Sequence, residues 1–185
     1  MEIKITTRQI LIVLQVISWI IFIGLCINAG SIAVNTIISL FKNGEGTRNF
    51  WEGADYLSSL IAFDRGYFIV VTIIMTIVAV LKAIMFYLII RLFMREQVKI
   101  SEPFSLELSR FISHQSFPSL GIGLFSHAGD AHTRWLTSRG LPNADLQSLH
   151  IAGADVWLFM AVMLFLILQI VKRGTELQKE NSLTI

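Results

Sequence analysis

Residues 67–93 read YFIVVTIIMTIVAVLKAIMFYLIIRLF, with Lys82 and Arg91 as the only formal charges in twenty-seven positions. As a helix this stretch measures about 40 Å, more than the roughly 30 Å of hydrocarbon in a bilayer. It predicts a membrane span, and it places a cation inside it. A lysine near the bilayer centre costs about 2.5–3.5 kcal/mol. Its long stem lowers that cost by carrying the ammonium toward an edge.

The flanks repeat the pattern. Span 1 is expected over 10–29. Its apolar pattern continues to Phe41, so the helix either breaks near Asn28–Ser31 or protrudes, and protrusion is the expectation. The run outlasts a signal-peptide core of about 7–15 residues and lacks a small-x-small cleavage site, which reads as a retained span. Residues 42–66 form a loop with turn signals at Asn43-Gly44 and Glu45-Gly46, then a short amphipathic piece from Trp51 to Phe63. Span 2 is 67–93.

Span 3 is expected over 104–126, with Pro103 in its first turn. Ser109, Ser113, His114, Gln115, Ser116 and Ser119 make it the least apolar of the four, and Pro118 should kink it. Lipid solvates such a helix poorly, so it should sit against the other spans. Residues 128–150 read as a polar loop, span 4 as 152–171, and 172–185 as a tail. The fold class is therefore all-α, an integral membrane four-helix bundle in a single domain.

Composition agrees. The 185 residues are 54% hydrophobic and 15% charged, with mean hydropathy +0.67, where soluble domains carry about 25% charged residues. A net charge of +2 gives no basis for direct nucleic-acid binding. The single cysteine, Cys26, excludes an internal disulfide and reads as a packing residue. Nine Lys and Arg fall in the N-terminal tail, the span 2–3 connection and the C-terminal tail, against five on the opposite side. The positive-inside rule then puts both termini in the cytoplasm. Trp51, Tyr67, Trp135 and Trp157 would form the outer aromatic belt.

Three groups of residues could carry function. By depth along their helices, Gln15, Lys82, His114 and Gln115 could form an intramembrane polar layer, with Glu107 as the salt-bridge partner of a snorkelling Lys82. That layer either binds a ligand or ion or holds spans together by hydrogen bonds of about 0.6 kcal/mol each. His127, Asp130 and His132 carry metal-ligand chemistry. Their spacing fits no single helix face, so a turn would be required, with His150 and Asp155 as further members; an ordinary polar loop is the simpler reading. In the tail, Leu177, Leu183 and Ile185 are isolated apolar residues that suit a docking peptide or a solvated anchor. Thr175 and Gln178 have capping-box spacing, so a short helix could restart after Gly174. The chain lacks His-Glu-x-x-His, Gly-x-Ser-x-Gly, Cys-x-x-Cys and phosphate-loop motifs. No enzymatic activity and no cofactor are expected.

The pieces Ile10 to Gly30, Leu81-Lys82-Ala83, Tyr87 to Ile90, Pro103-Phe104-Ser105, Gly121-Ile122-Gly123, Trp135-Leu136 and the tail from Arg173 to Ile185 carry a resemblance. Over nearly its full length the chain resembles the YoaS-like bacterial membrane proteins, a domain of unknown function. The tail is the most specific match. The resemblance implies four spans in the bacterial cytoplasmic (inner) membrane and no established biochemical activity. Family members are often encoded beside a small helix-turn-helix regulator. The expected function is a sensor or tether for such a cytoplasmic transcriptional regulator, with the lipid bilayer as the other partner. The alternative is a small transport or channel-like subunit acting as a homo-oligomer, with Lys82 and His114 lining its path.

Overall fold

The computed structural model describes residues 7–42, 45–50, 52–94 and 105–182. Among these the regular structure is all helical, with no strand: α1 (Thr7–Phe41), a short 3-10 turn (Glu45–Asn49), α2 (Ala54–Phe63), α3 (Arg65–Met94), α4 (Leu106–Ser138) and α5 (Ala154–Ser182). The segments Gln9–Phe41, Arg65–Met94 and Ala154–Glu180 are each long and apolar enough to cross a membrane. This is the make-up of a multi-pass membrane protein.

Local chemistry sets several boundaries. Asp64 ends α2 and starts α3. Its amide donates to the Leu60 carbonyl, and its carboxylate accepts from the amides of Gly66 and Tyr67 at 2.6 and 3.2 Å, as an N-capping Asp does. Ser105 caps α4 by accepting from the Leu108 amide at 3.2 Å. Pro103, expected in that first turn, lies outside the described residues.

α1 runs unbroken for 35 residues, about 52 Å, so the protruding helix is the one found. From Ile10 to Ile27 its large apolar side chains are mostly exposed, whereas Ala29, Ile32, Asn35 and Ser39 are buried. Asn35 donates to the Asn49 carbonyl at 3.1 Å, which ties α1 to the 3-10 turn.

α3 divides by face. Phe68, Val71, Met75, Val78 and Ala79 are buried in a core shared with α2, α4 and the segment before α5. The apolar run at 67–93 thus serves two environments. One face of it is buried along its whole length, from Phe68 to Ile90, while Val70, Ile73, Val80, Ile84 and Tyr87 on the other face are exposed.

α4 lies between α3 and α5 and packs on both. Its buried positions Ser109, Ile112, Ser116, Ser119, Gly123 and Ser126 alternate by three and four residues, a stripe of small side chains that lets helix backbones approach. α4 is not counted among the apolar spans: its buried serines and Gln115 face neighbouring helices, while Glu107, Arg110, His114, His127 and Arg134 are exposed. It also corrects the polar loop expected at 128–150. The helix continues through His127 and Asp130 to Ser138, since nothing before Gly140 breaks it. Gly140, at φ 101, and Pro142 then turn the chain.

Candidate functional site

Lys82 is the centre of the sequence argument, and the structure gives it an acceptor. Its ammonium donates to the main-chain carbonyl of His150 at 2.9 Å and stands 5.8 Å from the centroid of the Trp157 ring. A cation over an indole face gains further stabilisation as it loses water. His150 has φ 58, a left-handed conformation that histidine adopts more readily than most residues but still at a cost. Leu149 and Ile151, on either side of it, are fully buried and hold this turn against the core. Beyond the turn, the Ser119 hydroxyl donates to the Trp157 carbonyl at 3.1 Å, and Gly123 leaves room for Leu158. Lys82 therefore joins α3 through a backbone acceptor to the segment that leads into α5.

The proposed polar layer resolves into separate bonds. Gln115 is 5% exposed and donates to the Met85 carbonyl at 2.9 Å, one turn beyond Lys82, pinning α4 to α3. Gln15 is half-buried on α1 and makes no hydrogen bond with any of these groups. His114 is exposed, and its Nδ1 lies on the Arg110 carbonyl of its own helix.

Glu107 is not the partner of Lys82. Leu81 meets Gly121 across the α3–α4 contact, and Glu107 lies fourteen residues, about 21 Å, farther along α4. It lines a cavity with Arg91, Arg110 and His114 instead.

His127, Asp130 and His132 do not assemble. His127 is exposed, and Asp130 is held by Arg134 one turn away through both carboxylate oxygens. His132 packs against Tyr67 and Trp135, at 6.0 and 5.8 Å between ring centroids. His150 stands 3.9 Å from Glu52, and Asp155 lies in the first turn of α5. Among the described residues no three His, Cys, Asp or Glu side chains are grouped to hold a metal. The helix that replaces the expected loop is the reason, because it spreads these side chains over several faces.

The aromatic belt is split as well. Tyr67 and Trp135 meet edge to face at 5.4 Å, whereas Trp157 sits beside Ser119, about 24 Å away along α4. Trp51 lies outside the described residues.

The tail is helical without a restart. α5 continues through Gly174 to Ser182. The Thr175 hydroxyl returns to the Val171 carbonyl at 2.9 Å rather than capping a new helix, and Arg173 pairs with Glu176 at 3.0 Å. Leu177 is 48% exposed. Leu183 and Ile185 lie outside the described residues.

Sequence reasoning missed the acceptor of Lys82, because a main-chain carbonyl has no sequence signature. It also read Arg91 and Arg110 only as topological charges. Their spacing with Leu88, Leu92, Phe111 and His114, at three and four residues, was the available sign that they share a cavity. Comparison with family models finds none that matches this chain, and comparisons with curated proteins and with solved structures find no match either.

Proposed function

We propose that this chain is a non-enzymatic four-span protein of the bacterial cytoplasmic membrane, with both termini in the cytoplasm. On this reading it tethers a cytoplasmic helix-turn-helix regulator through the end of α5. The observation that carries the reading is the continuity of α5. Its apolar run ends at Val171, yet the helix continues through Lys172 and Arg173 to Ser182 and presents Leu177 to solvent. A rigid polar helix with an exposed apolar residue suits partner docking better than a loose anchor does. The family resemblance supplies the kind of partner.

Three further observations support it. α4 is 33 residues long, enough for a fourth span, with its small polar side chains turned toward α3 and α5. The nine-to-five basic asymmetry supports the orientation. Lys82, Gln115 and Ser119 are engaged in bonds between elements rather than converging on a reaction centre.

A chain cut after Arg173 keeps every span, so it should insert and purify like the parent. It should lose the cytoplasmic regulator that co-purifies with the full chain. Leu177→Ser with Leu183→Ser should reproduce that loss, because apolar anchors dominate short interfaces. Equal recovery of the regulator with the parent and both variants would overturn the tether.

A further inference from the structure

We propose that the cavity between the end of α3 and the start of α4 binds the phosphodiester headgroup of an anionic phospholipid. Leu88, Arg91 and Leu92 share one face of α3, while Arg110 and Phe111 share the facing side of α4. With Glu107 and His114 they line an open cleft of about 220 Å³. Gln115, bonded to the Met85 carbonyl, holds the two helices together one turn farther along, so the cavity is built before any ligand arrives.

Its chemistry is divided. Among the described residues neither Arg91 nor Arg110 forms an ion pair, although Glu107 lines the same cavity. Two guanidinium forks side by side suit the oxygens of a phosphodiester. Leu88, Leu92 and Phe111 offer an apolar wall for the glycerol and the first acyl carbons. His114 has its Nδ1 on the Arg110 carbonyl, which leaves Nε2 as its free ring nitrogen.

The depth fits a headgroup. Leu168 and Val171 of α5 pack on Ile112, next to Phe111. Lys172 and Arg173 therefore end the apolar run of α5 at about the height of the cavity. Three helices turn basic at one level, where a bilayer's headgroups meet its hydrocarbon. Basic pockets between spans on the cytoplasmic side are where anionic lipids bind. The site rests on the proposed orientation but not on the tether, since no residue lining the cavity belongs to α5.

The test titrates the full chain, purified in neutral detergent, with dioleoyl phosphatidylglycerol, dioleoyl phosphatidylcholine and inorganic phosphate, read by native mass spectrometry and thermal shift. Phosphatidylglycerol should bind and stabilise, while phosphatidylcholine and phosphate at equal concentration should not. Arg91→Gln or Arg110→Gln should each weaken phosphatidylglycerol binding about fivefold, and the pair together about 30-fold. Arg139→Gln, at the opposite end of α4, should leave binding unchanged. Glu107→Gln should strengthen it, an outcome that general damage to the fold cannot produce. Equal binding of the two lipids would overturn the proposal, as would parent-like binding by the double variant. Equal protection by inorganic phosphate would make the site one for soluble anions and overturn it too.

Discussion

The Lys82 ammonium has a backbone acceptor, and that choice has consequences. A backbone acceptor survives side-chain substitution, so the two partners can be varied separately. Lys82→Met keeps the stem and removes the donor, leaving the His150 carbonyl unpaired in a turn held by buried Leu149 and Ile151. The expected loss is about 1 kcal/mol, the net worth of a part-buried hydrogen bond. Denaturant or thermal unfolding in detergent measures it. Lys82→Glu should be far worse, because it sets a carboxylate against a carbonyl and removes the cation from the Trp157 ring. His150→Gly keeps the acceptor and tolerates φ 58, so it should cost much less than Lys82→Met. Parent-like stability of both Lys82 variants would mean that the ammonium simply snorkels to water. The need for such a bond was legible from a cation in the middle of a 27-residue apolar run whose other charge, Arg91, lies near its end. Its partner was not, since the pairing spans 68 residues and uses a group that every residue carries.

At the scale of the element, α4 shows why polarity is a poor guide to helix limits. The stripe Ser109, Ile112, Ser116, Ser119, Gly123 and Ser126 is readable as a helix face by its spacing. The sequence reading correctly placed this helix against its neighbours, then stopped it at Ser126, where charged residues begin. Helical hydrogen bonds do not depend on which solvent surrounds them, and the Asp130–Arg134 pair one turn apart supports the continuation. The same reasoning explains α5, where Gly174 costs about 1 kcal/mol but does not end the helix. The closeness of the α4–α5 contact can be tested at Gly123. A Cβ there would stand 2.7 Å from Leu158 Cγ and 3.0 Å from its backbone nitrogen. Gly123→Val should therefore force α5 away and cost about 1–3 kcal/mol. Gly24 has nothing within 4 Å of such a Cβ, so Gly24→Ala should be neutral or stabilising by about 0.5–1 kcal/mol. Similar losses from both substitutions, measured by unfolding in detergent, would contradict the packing described here.

For the whole molecule, the distribution of burial argues for two zones. One end, formed by the last turns of α1, by α2, the first half of α3, the end of α4 and residues 139–153, has a dry core of Phe68, Met75, Leu136 and Leu149. At the other end the helices expose apolar side chains on several sides, as at Ile20, Ile84, Phe159 and Ile167. A water-facing surface would not carry such a band, so lipid belongs there and the packed end belongs nearer the aqueous face. The apolar run of α3 continues through both zones, which is why hydropathy alone marked its full length as a span. Orientation then rests on charge. The basic ends of α3 and α5 lie away from the packed end, and the proposed orientation, by the positive-inside rule, has that side in the cytoplasm. With Cys26→Ser as background, a cysteine at Ser182 should react with an impermeant maleimide only after cells are permeabilised. One at Asn143, in the segment between α4 and α5, should react in intact cells. Labelling at Ser182 in intact cells would invert the protein, and protection of both sites in intact cells would mean that α5 does not cross.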